Sequence, residues 1–126
     1  MTDWLPIDAI TTALERDGFV VLPDIIPEAV LDELDSAAMK QDTDWKQAAI
    51  GRGRDEHTDL QIRRDRIAWM DATDPALSSW FAATKSLRLA LNRRLFLGLW
   101  DFECHLAYYG EGDFYRRHVD AFRGRS

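Results

Sequence analysis

From Trp100 to Tyr108 the chain alternates. Trp100, Phe102, Cys104, Leu106 and Tyr108 fall on one side of an extended backbone. Asp101, Glu103, His105, Ala107 and Tyr109 fall on the other. A period of two suits a strand rather than a helix, so residues 99–109 are expected as a strand with one apolar face. The second face is mostly polar and suits either water or a cavity. Gly110 and Gly112 then turn the chain, and residues 113–120 are expected to form the next strand.

Immediately upstream the period changes. Asp74 is placed to cap a helix and Pro75 to occupy its first turn. Leu77, Trp80, Phe81, Thr84, Leu87, Leu91 and Leu95 then recur at helical spacing, with Gly98 expected to close the helix. The Trp and Phe of this stripe read as core. The N-terminal half repeats the theme. Residues 6–17 are expected as a helix that starts at Pro6, carries Ile7, Ile10 and Leu14 inward, and stops at Gly18. Phe19-Val20-Val21-Leu22 is short, apolar and β-branched, which predicts a buried strand ended by Pro23.

A second helix is expected from Pro27 to Lys40, with Val30, Leu31, Leu34 and Ala38 inward and Asp32, Glu33 and Asp35 on a solvated face. Residues 41–61 are polar and broken by Gly51 and Gly53, so they read as a loop. Its Arg52 and Arg54 are solvated unless they meet a substrate. Residues 62–70 are expected as a strand with Trp69 in the core. The mixture of helices and strands predicts an α+β chain.

Composition removes several functions. A length of 126 residues fits a single domain. Net charge is −6, so the chain lacks the basic surface that a nucleic-acid binder needs to neutralise phosphates. A single cysteine, Cys104, permits no internal disulfide and fits a reducing compartment. It sits in an apolar run and reads as an inert buried thiol. The start Met-Thr-Asp-Trp carries no signal-peptide pattern, and no apolar run approaches the roughly 20 residues that cross a bilayer. The expected location is the cytoplasm, with no membrane and no nucleic acid among the partners.

The chemistry is concentrated at the C-terminal end. On a strand, His118 and Asp120 point the same way, with Cα atoms roughly 6.6 Å apart. One imidazole nitrogen and one carboxylate oxygen at that spacing can close on a single metal ion, and they make two-thirds of the two-His, one-carboxylate set of non-haem iron oxygenases. His57-Thr58-Asp59 has the same spacing but lies in the polar loop, which does not position ligands in advance.

Around His118 the pattern is longer: Tyr108-x-Gly110-x-Gly112-x-x-Tyr115-x-x-His118-x-Asp120. Over residues 101–123 it resembles the prolyl-hydroxylase branch of the Fe(II)/2-oxoglutarate dioxygenases. Ile62-Arg63-Arg64-Asp65-Arg66-Ile67-Ala68-Trp69 resembles a segment that precedes the catalytic core there, except that the family usually has Gly at the position of Arg64.

The resemblance implies N-terminal helices packed on part of a double-stranded β-helix, a cupin-like jelly roll. It implies His118 and Asp120 as iron ligands, Tyr108 lining the 2-oxoglutarate pocket, and Tyr115 nearby. Fe(II) is the implied metal and 2-oxoglutarate the cosubstrate, with room for ascorbate as an accessory. The implied reaction is hydroxylation of a substrate C–H, foremost a prolyl residue of a protein or peptide.

The family also places a second His ligand and a 2-oxoglutarate-binding Arg well downstream. No His follows Asp120 here, and Arg123 and Arg125 lie too close to the motif. The expectation is therefore the N-terminal portion of such a domain, lacking its C-terminal strands. His105 is the one nearby residue that could supply a missing nitrogen. Arg116, Arg117, Arg123 and Arg125 suit an anionic cosubstrate or an acidic partner, or simply a soluble rim. The rival reading is a non-catalytic fragment or interaction module, in which open sheet edges invite self-association.

Overall fold

A computed structural model gives the structure of the protein and describes residues 4–40, 44–48 and 60–119. Among these residues the chain is α+β, with three α-helices and a three-stranded antiparallel sheet. It divides into two units. The first joins Met1–Gln41 to Asp71–Glu103 and holds the helices. The second joins Asp42–Met70 to Cys104–Ser126 and holds the sheet.

In the helical unit, α1 (Ile7–Asp17) and α2 (Glu28–Met39) both pack on α3 (Ser78–Leu95). Helix α1 follows Pro6 and ends at Gly18, whose φ of 82° lets its N–H return to Leu14 O at 3.0 Å. Ile10, Thr11 and Ala13 are buried. Thr11 can be buried because its hydroxyl donates to Ile7 O at 2.9 Å. Helix α2 buries Val30 and Ala37, while Leu31 remains exposed.

Helix α3 is entered through a short 3-10 turn, Pro75–Leu77, where Asp74 Oδ1 accepts from Ala76 N at 3.0 Å. Leu77, Ala83 and Ala90 are the buried residues of this turn and helix, and the larger side chains of the stripe are half-buried. The helix does not end at Gly98. Phe96 takes the left-handed position with φ 55°. The Asn92 amide compensates by donating to Leu99 O at 2.7 Å and accepting from Leu99 N at 2.6 Å.

Two strand expectations fail here. Residues 19–22 form no strand, and Phe19 and Val21 are exposed. A strand needs a partner for its backbone groups, and this unit contains no other strand among the described residues. Residues 99–104 are irregular as well, with Trp100 largely exposed and Phe102 edge-on to Phe81 at 6.3 Å.

In the sheet unit the order is β1 (Lys46–Gln47), β2 (Arg66–Trp69), β3 (His105–Tyr108). Lys46 faces Ile67, and Gln47 faces Arg66. On the other side Arg66 faces Tyr108 and Trp69 faces His105. The length of β2 limits β3 to four residues, and Met70 N to Cys104 O, 3.0 Å, is the last link of the ladder. Ile67 and Ala68 are buried. Trp69 is not core: it is 50% exposed and meets the edge of His105 at 5.1 Å. Among the described residues no helix is long and apolar enough to cross a membrane.

Candidate metal-binding site

The two segments singled out in the sequence are neighbours in space. Upstream of β2 the chain keeps pairing. Arg63 bridges Tyr115 in antiparallel register, Arg64 N donates to Phe114 O at 2.8 Å, and Arg116 N donates to Ile62 O at 2.8 Å. The 62–69 segment therefore holds β3 at one end and the motif at the other. A tight turn lies between. Asp113 N donates to Gly110 O at 2.9 Å, Gly110 N donates to Asp113 Oδ2 at 2.8 Å, and Gly112 has φ 83°. Only glycine adopts that φ without strain. The strand expected over 113–120 is reduced among the described residues 113–119: Tyr115 makes a single bridge, and His118 lies on irregular backbone beyond it.

Arg63 and Asp65 are two residues apart on an extended chain, so their side chains fall on one side. They form a forked ion pair, with Arg63 Nε to Asp65 Oδ1 at 2.6 Å and Arg63 Nη2 to Asp65 Oδ2 at 2.9 Å. Asp65 is wholly buried and Arg63 nearly so. Burial of two charges is costly, and the two parallel charge-assisted bonds offset that cost. The bond to Asp65 holds the Arg63 guanidinium still more firmly protonated. Partial burial pushes the phenol of the half-exposed Tyr109 up, and the Asp65 charge adds to it.

Above this pair lies Tyr115. The Arg63 guanidinium carbon sits 4.1 Å from the centre of its ring. The His118 imidazole also lies against that ring, with centroids 3.6 Å apart and planes 4° from parallel. Two groups this close to one ring take opposite faces. His118 is also held by its own chain, because Nδ1 meets Arg116 O at 2.8 Å. A carbonyl oxygen only accepts, so Nδ1 carries the hydrogen and the lone pair of the neutral ring is on Nε2. That is the tautomer a metal ligand needs, and a backbone carbonyl is a usual partner for its other nitrogen.

Tyr108 lies on β3 opposite Arg66, exposed, with its ring edge-on to Trp45 at 6.2 Å. Asp120, the His57–Asp59 pair, Arg52, Arg54, Arg123 and Arg125 lie outside the described residues. His105 cannot join His118. Its register partner Trp69 is six residues along the strand from Arg63, roughly 20 Å at strand rise, and Arg63 is where Tyr115 and His118 sit. Among the described residues no group of three His, Cys, Asp or Glu side chains could hold a metal ion. Sequence reasoning assigns no role to Arg63 and Asp65, although Arg-x-Asp is a signal of the same kind as His-x-Asp.

No protein-family model matches the chain, and no curated protein matches it. A solved structure, a prolyl-4-hydroxylase of Pseudomonas putida, matches with a TM-score of 0.77 and 34% identity. The match covers 94% of this chain and 60% of that one. The chain is thus related in both sequence and fold to a prolyl hydroxylase, and it spans 60% of that enzyme's length.

Proposed function

We propose that this protein is an Fe(II)- and 2-oxoglutarate-dependent dioxygenase that hydroxylates a substrate C–H, foremost a prolyl residue of a polypeptide. The observation that carries the reading is His118. Its Nδ1 is tied to a backbone carbonyl and its ring is stacked on Tyr115, in a chain related to a prolyl hydroxylase. We read the sheet as part of a double-stranded β-helix, and the protein as cytoplasmic.

His118 and Asp120 would give ferrous iron two of the three donors that the resemblance implies. An imidazole nitrogen with a carboxylate oxygen suits a divalent metal of borderline hardness. His118 and Asp120 would hold it, and Tyr108 would border the 2-oxoglutarate. When bound, iron with 2-oxoglutarate and dioxygen supplies the oxidising power for C–H hydroxylation.

The residues of this chain orient and shield. The Arg116 carbonyl fixes the tautomer of His118. Tyr115 limits rotation of the imidazole, so that less entropy is lost when Nε2 takes a metal. The Arg63–Asp65 pair supports Tyr115 from its other face. The Tyr108 phenol can donate to a carboxylate of the cosubstrate.

The test is a coupled assay with Fe(II), 2-oxoglutarate and prolyl peptides. Succinate should form in step with peptides that gain one oxygen, and both should vanish in His118→Ala. Succinate formation equal in the wild type and in His118→Ala would remove the reading and favour a non-catalytic interaction module.

A further inference from the structure

The ladder that joins residues 62–64 to 114–116 has two faces. Arg63 and Tyr115 occupy one. Arg64, Phe114 and Arg116 occupy the other, because Arg64 lies opposite Phe114 and Arg116 is two residues from it. On this second face the guanidinium carbons of Arg64 and Arg116 each lie 5.4 Å from the centre of the Phe114 ring. Both arginines are exposed, and so is the adjacent Arg117.

These side chains are tethered. Arg64 Nε donates to Leu60 O at 2.8 Å, and Arg116 Nε donates to Gln61 O at 2.6 Å. Each guanidinium has five N–H donors, so the bond from Nε leaves the four on the terminal nitrogens. Arg63 is neutralised by Asp65, whereas no carboxylate of the described residues forms an ion pair with Arg64 or Arg116. A solubilising arginine would keep its rotamer freedom. Two arginines fixed on one ring have already lost it, which lowers the entropic cost of gripping a ligand.

We propose that Arg64, Phe114 and Arg116 form a docking clip for an acidic stretch of a polypeptide, on the face of the ladder opposite Tyr115 and, at Arg116, two residues along the chain from His118. The local charge is opposite in sign to the net charge of −6, so the clip is a local positive patch on an acidic protein. That balance favours a peptide carboxylate over a nucleic acid, whose long run of phosphates the rest of the chain would repel. The planar forks suit carboxylates, and the Phe114 ring offers apolar contact between them. The clip names the substrate class for the oxygenase reading and depends on that reading only for the hydroxylation step, not for docking.

The experiment is fluorescence anisotropy without metal, on the whole protein. The probes are a labelled proline-containing peptide flanked by glutamates, the same peptide with glutamines or lysines in their place, and a single-stranded oligonucleotide. The glutamate peptide should bind about tenfold more tightly than the glutamine peptide, the scale of a charge-assisted pair. The preference should vanish in Arg64→Gln/Arg116→Gln, and Arg64→Glu/Arg116→Glu should prefer the lysine peptide. A far-UV circular-dichroism spectrum matching the wild type shows each variant to be folded.

Equal binding of the glutamate and glutamine peptides would overturn the proposal, as would an unchanged preference in the double variants or an oligonucleotide that binds as well as the glutamate peptide. A separate Fe(II) titration keeps the two readings apart. Iron bound at His118 with no acidic preference removes only the clip. An acidic preference with no iron at His118 removes only the oxygenase.

Discussion

The Tyr115 ring lies flat on the His118 imidazole, 3.6 Å away and within 4° of parallel. A ligand ring held in this way needs little reordering when it takes a metal. Groups that orient a ligand commonly change metal affinity by about 10- to 100-fold when removed. Tyr115→Ala should therefore weaken Fe(II) binding by about tenfold, while Tyr115→Phe, which keeps the stack, should stay near wild type. Anaerobic titration of the three proteins distinguishes stacking from a contribution of the phenol hydroxyl. A loss in Tyr115→Phe as large as in Tyr115→Ala would transfer the role to the hydroxyl.

The buried fork beneath that ring sets a stability prediction. Removal of one partner from a buried ion pair leaves a charge without compensation and costs about 3–5 kcal/mol. Asp65→Ala should destabilise on that scale, since Asp65 has no solvent exposure. The double variant Asp65→Leu/Arg63→Met should recover much of the loss, because neither charge remains. Urea unfolding of the singles and the double measures the coupling. A double variant worse than the sum of the singles would mean that the pair does more than neutralise itself.

Tyr109 gives a pH signature. The pKa of its phenol is raised from the ordinary value of 10.0 by partial burial, with the charge of Asp65 adding to it. A raised pKa in the folded state means that folding favours the protonated phenol. Its contribution to stability is complete below the unfolded value near pH 10 and is lost as pH rises through the folded value. Wild-type stability should fall with rising pH in that window, and Tyr109→Phe should remove this part of the slope. The check is the unfolding midpoint followed from neutral to strongly alkaline pH in both proteins. Identical slopes would contradict the environment described for Tyr109.

The turn before the motif makes a local prediction. Gly112 has φ 83°, so Gly112→Ala introduces left-handed strain of about 1 kcal/mol although open space surrounds the new methyl. At Gly110 the conformation is ordinary, but a Cβ would lie 3.3 Å from Asp113 Oδ2 and 3.5 Å from the Tyr108 ring. Gly110→Ala should therefore disturb the contacts of Tyr108 more than Gly112→Ala does. The resonances of Tyr108 and Trp45 in NMR spectra would report that difference.

The helices are legible in the sequence because their signals are local. Pro6 and Gly18 bracket α1, and Asp74-Pro75 opens the turn into α3, each acting through its own φ or side chain. Strands depend on a partner that local sequence does not name. Residues 19–22 have strand composition, yet no described strand of their unit pairs with them. The alternation across 99–109 is real in the sequence, but β2 has residues only for 105–108. Residue type puts Trp69 in the core, whereas the register sets it against His105 on an exposed face.

At the site, the His-x-Asp spacing makes His118 visible, and Tyr108 and Tyr115 are visible only through the resemblance to the prolyl-hydroxylase branch. The support that Arg63 and Asp65 give to Tyr115 is not visible in that way. It arises from the register that sets Arg63 against Tyr115, which brings together residues far apart in sequence.

The role of His118 as an iron ligand is open to an anaerobic titration of this protein with Fe(II) in the presence of 2-oxoglutarate, monitored by calorimetry and optical absorption beside His118→Ala. Saturable binding and a metal-to-ligand absorption band are expected in the wild type, with both lost in the variant. Binding that survives His118→Ala unchanged, or no binding in either protein, would rule that role out.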